Sequence, residues 1–149
     1  MACQVRSATG EDAAGISRVV IAALRESNAR DYPPAVIAEV ERSFAPDVVR
    51  AHIDRRRVFV ALAAGEIVGT ASLDGDVVRS VFVDPGYQNG GIGRHLMDVV
   101  HATASDTGVE ALRVPSSITA EGFYAGLGYR KVRDEFHGAE RTVVMEKRL

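Results

Sequence analysis

The sequence predicts a mixed α/β fold: a twisted, mostly antiparallel sheet of about seven strands flanked by helices, with its two central strands parallel. Three observations carry this. Strand and helix patterns follow one another in the order β-α-α-β-β-β-α-β-α-β-β. The three strands in the middle are joined by tight turns at Ala64-Gly65 and Asp74-Gly75-Asp76, which makes them an antiparallel meander. The third of them is followed by a helical pattern and then another strand, and a crossover of that length makes the two strands parallel and right-handed.

Gln4 to Ala8 reads as a short first strand. Thr9-x-x-Asp12 has the form of a capping box, with the Thr9 hydroxyl placed to accept a free helix N–H. The helix that follows carries Ile16, Val19, Val20 and Leu24 on one stripe, with Arg18, Arg25 and Glu26 off it, and ends around Ser27-Asn28. Asp31-Tyr32-Pro33-Pro34 is a break, after which a helix is expected from Pro34 to Ser43 and a further short one from Pro46 to Asp54. Residues 28–57 carry the weakest patterning in the chain. Val58–Ala63, Glu66–Leu73 and the strand opening at Val77 form the meander, the last built on Val77, Val78, Val81, Phe82 and Val83. Asp84-Pro85-Gly86 stops that strand. Ile92, Leu96, Val100 and Ala104 then define one face of a helix running to about Ser105. Ala111–Val114 is a short strand, broken by Pro115-Ser116-Ser117. Thr119 can cap a helix from Ala120 to Leu127 with Gly128 as its C′ residue. Tyr129–Glu135 and Arg141–Arg148 close the chain as a hairpin across His137-Gly138.

The segment with the most chemistry joins the central strand to the helix after it: Gln88-Asn89-Gly90-Gly91-Ile92-Gly93-Arg94. A strand, a glycine-rich loop and a helix N-terminus make an anion site, because unpaired N–H groups and the positive end of the helix dipole meet where glycines permit close approach. The spacing excludes two common nucleotide loops. A P-loop ends in Gly-Lys-Ser/Thr, and here Gly93 is followed by Arg94-His95; a dinucleotide fingerprint wants a third glycine where Leu96 stands. What remains is Gln88-x-x-Gly91-x-Gly93, preceded by Val81-x-Val83-x-Pro85. This resembles the pyrophosphate-binding motif of the GNAT superfamily of N-acetyltransferases, and the element order resembles that family over nearly the whole chain. The resemblance implies that the amides of Gln88, Asn89, Gly90, Gly91, Ile92, Gly93 and Arg94 hold the pyrophosphate of acetyl-CoA. It also implies that the two parallel strands splay, and that the backbone of Val81, Phe82 and Val83 bonds the acetyl carbonyl and the pantetheine amides. Ser117 corresponds to a polar residue reaching the pantetheine arm. The acceptor site falls on the weakly patterned residues 28–57.

A second run, Phe123-Tyr124-Ala125-Gly126-Leu127-Gly128-Tyr129, resembles the family's Phe-Tyr-x-x-x-Gly-Phe/Tyr signature. Helical geometry puts Phe123 and Leu127 one turn apart, both expected in the core, with Tyr124 about 100° away, so that it need not be core. By resemblance Tyr124 is the general acid that protonates the departing thiolate. The implied reaction is direct attack of a primary amine, on a small molecule or a protein, at the acetyl thioester. The base is a gap: where many family members carry a strand glutamate, this chain has Val77, and Asp76 points to the other face of the strand. Glu26, Glu39, Glu41 and Glu135 qualify only as carboxylates. The missing glutamate also fits a second reading, an acyl-CoA-binding sensor without turnover.

Composition excludes several other classes. A chain of 149 residues with net charge −2 has the size of one domain, spanning 1–149, and no footprint for nucleic acid or an anionic membrane. Its single cysteine, Cys3, fits a reducing cytoplasm. No apolar run approaches the ~20 residues of a membrane span, and no signal peptide opens the chain. His95 and His101 are six apart, off the face a helical ligand pair needs, so no metal is expected. His95 reads as an exposed helical residue. The acceptor and the oligomeric state, a homodimer included, are not written in these patterns.

Overall fold

The computed structural model describes residues 3–149. Seven strands form one sheet in the order β1-β2-β3-β4-β5-β7-β6, namely β1 (Gln4–Ser7), β2 (Arg57–Ala63), β3 (Glu66–Asp74), β4 (Val77–Val83), β5 (Ala111–Ser117), β6 (Arg130–His137) and β7 (Glu140–Arg148). Only β4 and β5 pair in parallel; every other neighbouring pair is antiparallel. The fold class read from the sequence is the one observed.

Helices cover both faces. On one lie α1 (Ala13–Glu26), α2 (Pro34–Arg42) and α3 (Pro46–Arg55). α1 turns Ile16, Val20 and Leu24 into a core with Val36, Ile37, Val49 and Val58, as its apolar stripe requires. On the opposite face α4 (Ile92–Asp106) buries Ile92, Leu96, Met97, Val100 and Ala104 against Ala71, Val78, Leu112 and Met145. α5 (Glu121–Gly126) is a short helix leading into β6. The weakly patterned segment is therefore largely helical, opening with one 3-10 turn at Asn28–Arg30 and reaching β2 at Arg57. At the start of α1, Asp12 closes the box by accepting the Thr9 N–H at 2.8 Å. The same carboxylate takes a two-pronged bond from Arg6 at 2.8 and 3.0 Å, which holds its pKa below the ordinary carboxylate range.

Two departures from expectation shape the middle of the sheet. Ser80 sits inside β4 with φ 56°, and the β3–β4 register slips between Thr70 and Ser72, so the strand carries a bulge. A bulge bends its strand, and β4 leaves β5 after a single register pair, Val77 opposite Arg113. The second departure is that β5 does not stop at Val114 but runs through Pro115 to Ser117, paired with β7 throughout. Arg113 donates its N–H across to Asp76 on the β4 side, and Pro115, two residues on, faces the same way. Because β4 has moved off there, the missing proline N–H deprives no neighbour.

Candidate functional site

The divergence of β4 from β5 opens a cleft of about 890 Å³. Beyond Val77 no register pair ties the β5-facing edge of β4, so part of its backbone is left for a ligand. Val81 and Val83 turn their side chains into the α4-side core, while Phe82 packs on the other face, its ring 5.5 Å from that of Phe44. All three line the cleft.

The loop after β4 continues this edge. The backbone N–H groups of residues 89–94 have no hydrogen-bond partner among the described residues; the next one, of His95, bonds the Gly91 carbonyl and begins the helix ladder. That leaves a run of free donors at the N-terminus of a 15-residue helix. Gly91 has φ 85°, which a side chain disfavours, and a Cβ on Gly93 would lie 3.2 Å from the Phe123 ring. Asn89 is also left-handed, at φ 65°. The Gln88 side chain is engaged elsewhere: its amide donates to Ser27 Oγ at 3.1 Å and to the Val83 carbonyl at 3.2 Å, tying the end of α1 to the end of β4. Arg94 lines the cleft mouth and Gly90 does not line the cleft. Across the gap Ser117 also lines it, its Oγ accepting the Ala120 N–H at 3.1 Å.

The aromatic pair on α5 is arranged opposite to expectation. Tyr124, not Phe123, is the core residue: Tyr124 is 3% exposed and Phe123 37%. α5 is only six residues long, and its chain turns back at once so that the Tyr129 N–H bonds the Tyr124 carbonyl and both rings enter the core edge-to-face at 5.4 Å. Phe123 is thereby left over the glycine loop. Burial raises the Tyr124 phenol pKa well above its ordinary value, with Tyr129 adding to it. The hydroxyl has no partner among the described residues, yet none of their buried side-chain polar atoms is unsatisfied, so this oxygen reaches the cleft surface.

Residues 28–57 supply the other wall, and several lining groups there gave no motif. Tyr32 accepts the Ile118 N–H at 2.8 Å and donates to the Arg141 carbonyl at 2.5 Å, joining this segment to the ends of β5 and β7. His52 and Arg56 come from α3 and its end, and Arg79 from β4. Glu140 is the one carboxylate among the lining residues. Glu26, Glu39, Glu41 and Glu135 do not line the cleft, and Glu41 and Glu135 are paired with Arg25 and Arg133. His95 is exposed outside it, beside Cys3 Sγ at 3.4 Å. Among the described residues no helix is long and apolar enough to cross a membrane, and no His, Cys, Asp and Glu group is arranged to hold a metal.

A family model described as an acetyltransferase (GNAT) domain matches residues 28–149. Solved structures share the fold. A GCN5-related N-acetyltransferase from Rhodopseudomonas palustris superposes with TM-score 0.95 at 24% identity, covering 100% of this chain and 97% of that one. PaiA N-acetyltransferase from Thermoplasma acidophilum, solved in complex with coenzyme A, gives 0.87 at 18% identity over 100% of both chains. YncA from Salmonella typhimurium, described as a putative acetyltransferase with its cofactor acetyl-CoA, gives 0.75 at 19%, covering 99% and 94%. No curated protein matches the sequence.

Proposed function

Because this chain belongs to the GNAT acetyltransferase family, and is thus an acyltransferase, we propose that it moves an acetyl group from acetyl-CoA to a primary amine. We treat residues 1–149 as one catalytic domain working in a reducing cytoplasm. The observation that carries the donor assignment is the run of unpartnered N–H groups at residues 89–94, directly beyond a strand edge that has lost its neighbour. A diphosphate fits those donors and the positive end of α4, and a chain of amides fits the open edge of β4.

In this reading the amides of residues 88–94, with Arg94, hold the pyrophosphate. Gln88 contributes through its backbone, since its side chain braces the loop. The backbone of Val81, Phe82 and Val83 bonds the pantetheine amides and the acetyl carbonyl, and an N–H aimed at that carbonyl stabilises the oxyanion that forms on attack. Ser117 faces the arm from β5. The nitrogen lone pair forms the new N–C bond as the C–S bond breaks; sulfur leaves with the electron pair and receives a proton, and nitrogen gives one up.

Tyr124 serves the leaving sulfur. Its raised pKa keeps the phenol protonated at neutral pH, so it is always a donor. The same burial makes it a weaker acid than free tyrosine, but a thiolate beside it is destabilised by the same surroundings and takes the proton more readily. Of the groups lining the cleft, the Glu140 carboxylate and the His52 and His137 imidazoles are the candidates to accept the amine proton, and the His52 imidazole is held below its ordinary pKa by burial and by Arg56, Arg55 and Arg79. None of them stands at Val77, the position that corresponds to the family's strand glutamate.

Release of free CoA thiol from acetyl-CoA, followed across a panel of amines, tests the assignment. Amine-dependent release above the hydrolytic background is expected. Tight acetyl-CoA binding with no release for any amine would instead favour a sensor.

A further inference from the structure

The cleft is unevenly charged. Its lining residues include Arg56, Arg79 and Arg94 against the single carboxylate Glu140. Arg94 belongs to the diphosphate end, but Arg56 and Arg79 do not. Along β4 the order is Arg79, then Val81 at the acetyl carbonyl, then Val83, then the phosphate loop. Arg79 thus stands two residues before Val81 on the strand, across the Ser80 bulge and on the far side of the reacting carbon from every phosphate of the donor.

These two guanidiniums are also poorly satisfied. Elsewhere the chain pairs arginine with carboxylate closely and in two prongs, as in Arg6–Asp12 at 2.8 and 3.0 Å and Arg25–Glu41 at 2.9 and 2.8 Å. Arg56 and Arg79 share one carboxylate, Asp74, at 4.0 and 3.6 Å, both beyond hydrogen-bond reach. Asp74 is itself half exposed, whereas the Arg56 side chain is only 17% exposed. Burial lowers the Arg56 pKa, the charge of Arg79 adds to the cost, and Asp74 offsets part of it. His52, half-buried on the same wall, feels both. Two planar donor groups that share only this distant carboxylate, with Arg56 17% and Arg79 41% exposed, keep donors free for a second carboxylate.

Resting on the acetyltransferase reading above, we propose that this end of the cleft is an anion subsite and that the acceptor is a small primary amine carrying a carboxylate, held between Arg56 and Arg79. The carboxylate takes no part in the bond changes; it fixes the amine in front of the thioester. A polyamine, by contrast, would bring positive charge against two arginines.

Acceptor pairs that differ only in this group test the idea: amino acids against their decarboxylated amines, with a peptide carrying a free N-terminus alongside. The carboxylate-bearing member should show kcat/KM higher by roughly 10- to 100-fold, the worth of a charge-assisted hydrogen bond. In Arg79→Gln and Arg56→Gln that ratio should fall towards one, chiefly through KM, and Arg79→Lys should restore part of it. Acetyl-CoA should still raise the melting temperature of each variant, which shows that fold and donor site persist. Stabilisation of the wild type by an N-acetylated amino acid, lost in Arg79→Gln, reads the subsite without turnover and supports it even if no good acceptor is in the panel. Equal use of both members, or preference for a polyamine or the peptide, overturns the subsite while leaving the acetyltransferase assignment intact. Absence of both acetyl-CoA binding and amine turnover overturns the two together.

Discussion

At Tyr124 a single hydroxyl separates two roles. Tyr124→Phe keeps the ring that packs against Tyr129 and Phe123 and removes only the donor. Because that hydroxyl has no partner among the described residues, stability should change by less than about 1 kcal/mol. Turnover should drop on the order of 10²–10⁴-fold with acetyl-CoA affinity little altered, provided chemistry limits the rate. A folded variant with wild-type single-turnover rates would remove Tyr124 from the mechanism. The loop glycines differ from one another in the same physical way. Gly91 needs its left-handed backbone and has open space, whereas Gly93 needs room beside Phe123. Gly91→Ala should therefore cost about 1–2 kcal/mol in chemical denaturation. Gly93→Ala should cost less, since the exposed Phe123 ring can shift. Larger side chains at either position should weaken acetyl-CoA binding in titrations, and unchanged affinity in a folded Gly93→Val protein would move the phosphate site elsewhere. The motif marked both glycines in the sequence, but not that their reasons differ.

The elements that make the site are β4, β5 and the segment joining α1 to β2, and they were unequally legible. β4 and α4 were read to within a residue or two, because β-branched runs and an i, i+4 stripe are strong local signals. The bulge at Ser80 was not legible, since a left-handed serine leaves no compositional mark. Nor was the continuation of β5 through Pro115, which depends on where another strand goes. Tyr32 shows what the weakly patterned segment contributes: its hydroxyl links this segment to Ile118 and Arg141 across the cleft. Tyr32→Phe should leave the Ile118 N–H without its acceptor and cost about 1–3 kcal/mol. KM for the acceptor should rise as the wall loosens, with the acetyl-CoA response kept. A variant with unchanged melting temperature and KM would show that the bridge holds nothing in place.

For the molecule as a whole, the donor site links binding to stability. A ligand that binds only the folded chain at a hundredfold excess over Kd adds about 2.7 kcal/mol. For a domain near this size that should raise Tm by roughly 5–10 °C. Thermal unfolding with millimolar acetyl-CoA, against a protein known to bind CoA, checks it; an unmoved midpoint would refute the donor assignment. Whatever depends on neighbours in the chain was legible from the residues alone. The strand and helix periods, the turns, the glycine loop before a helix and the Phe-Tyr-x-x-x-Gly-Tyr run are all local patterns, and together they specified the α/β order and marked the glycine loop that the structure places at the cleft. Long-range packing alone set which of Phe123 and Tyr124 is buried, because a six-residue helix has no face until β6 folds back on it. It alone brought Arg56, at the end of α3, beside Arg79 in β4. Residues 23 positions apart in the chain meet only when a helix packs on a sheet, and no spacing in the sequence encodes that meeting.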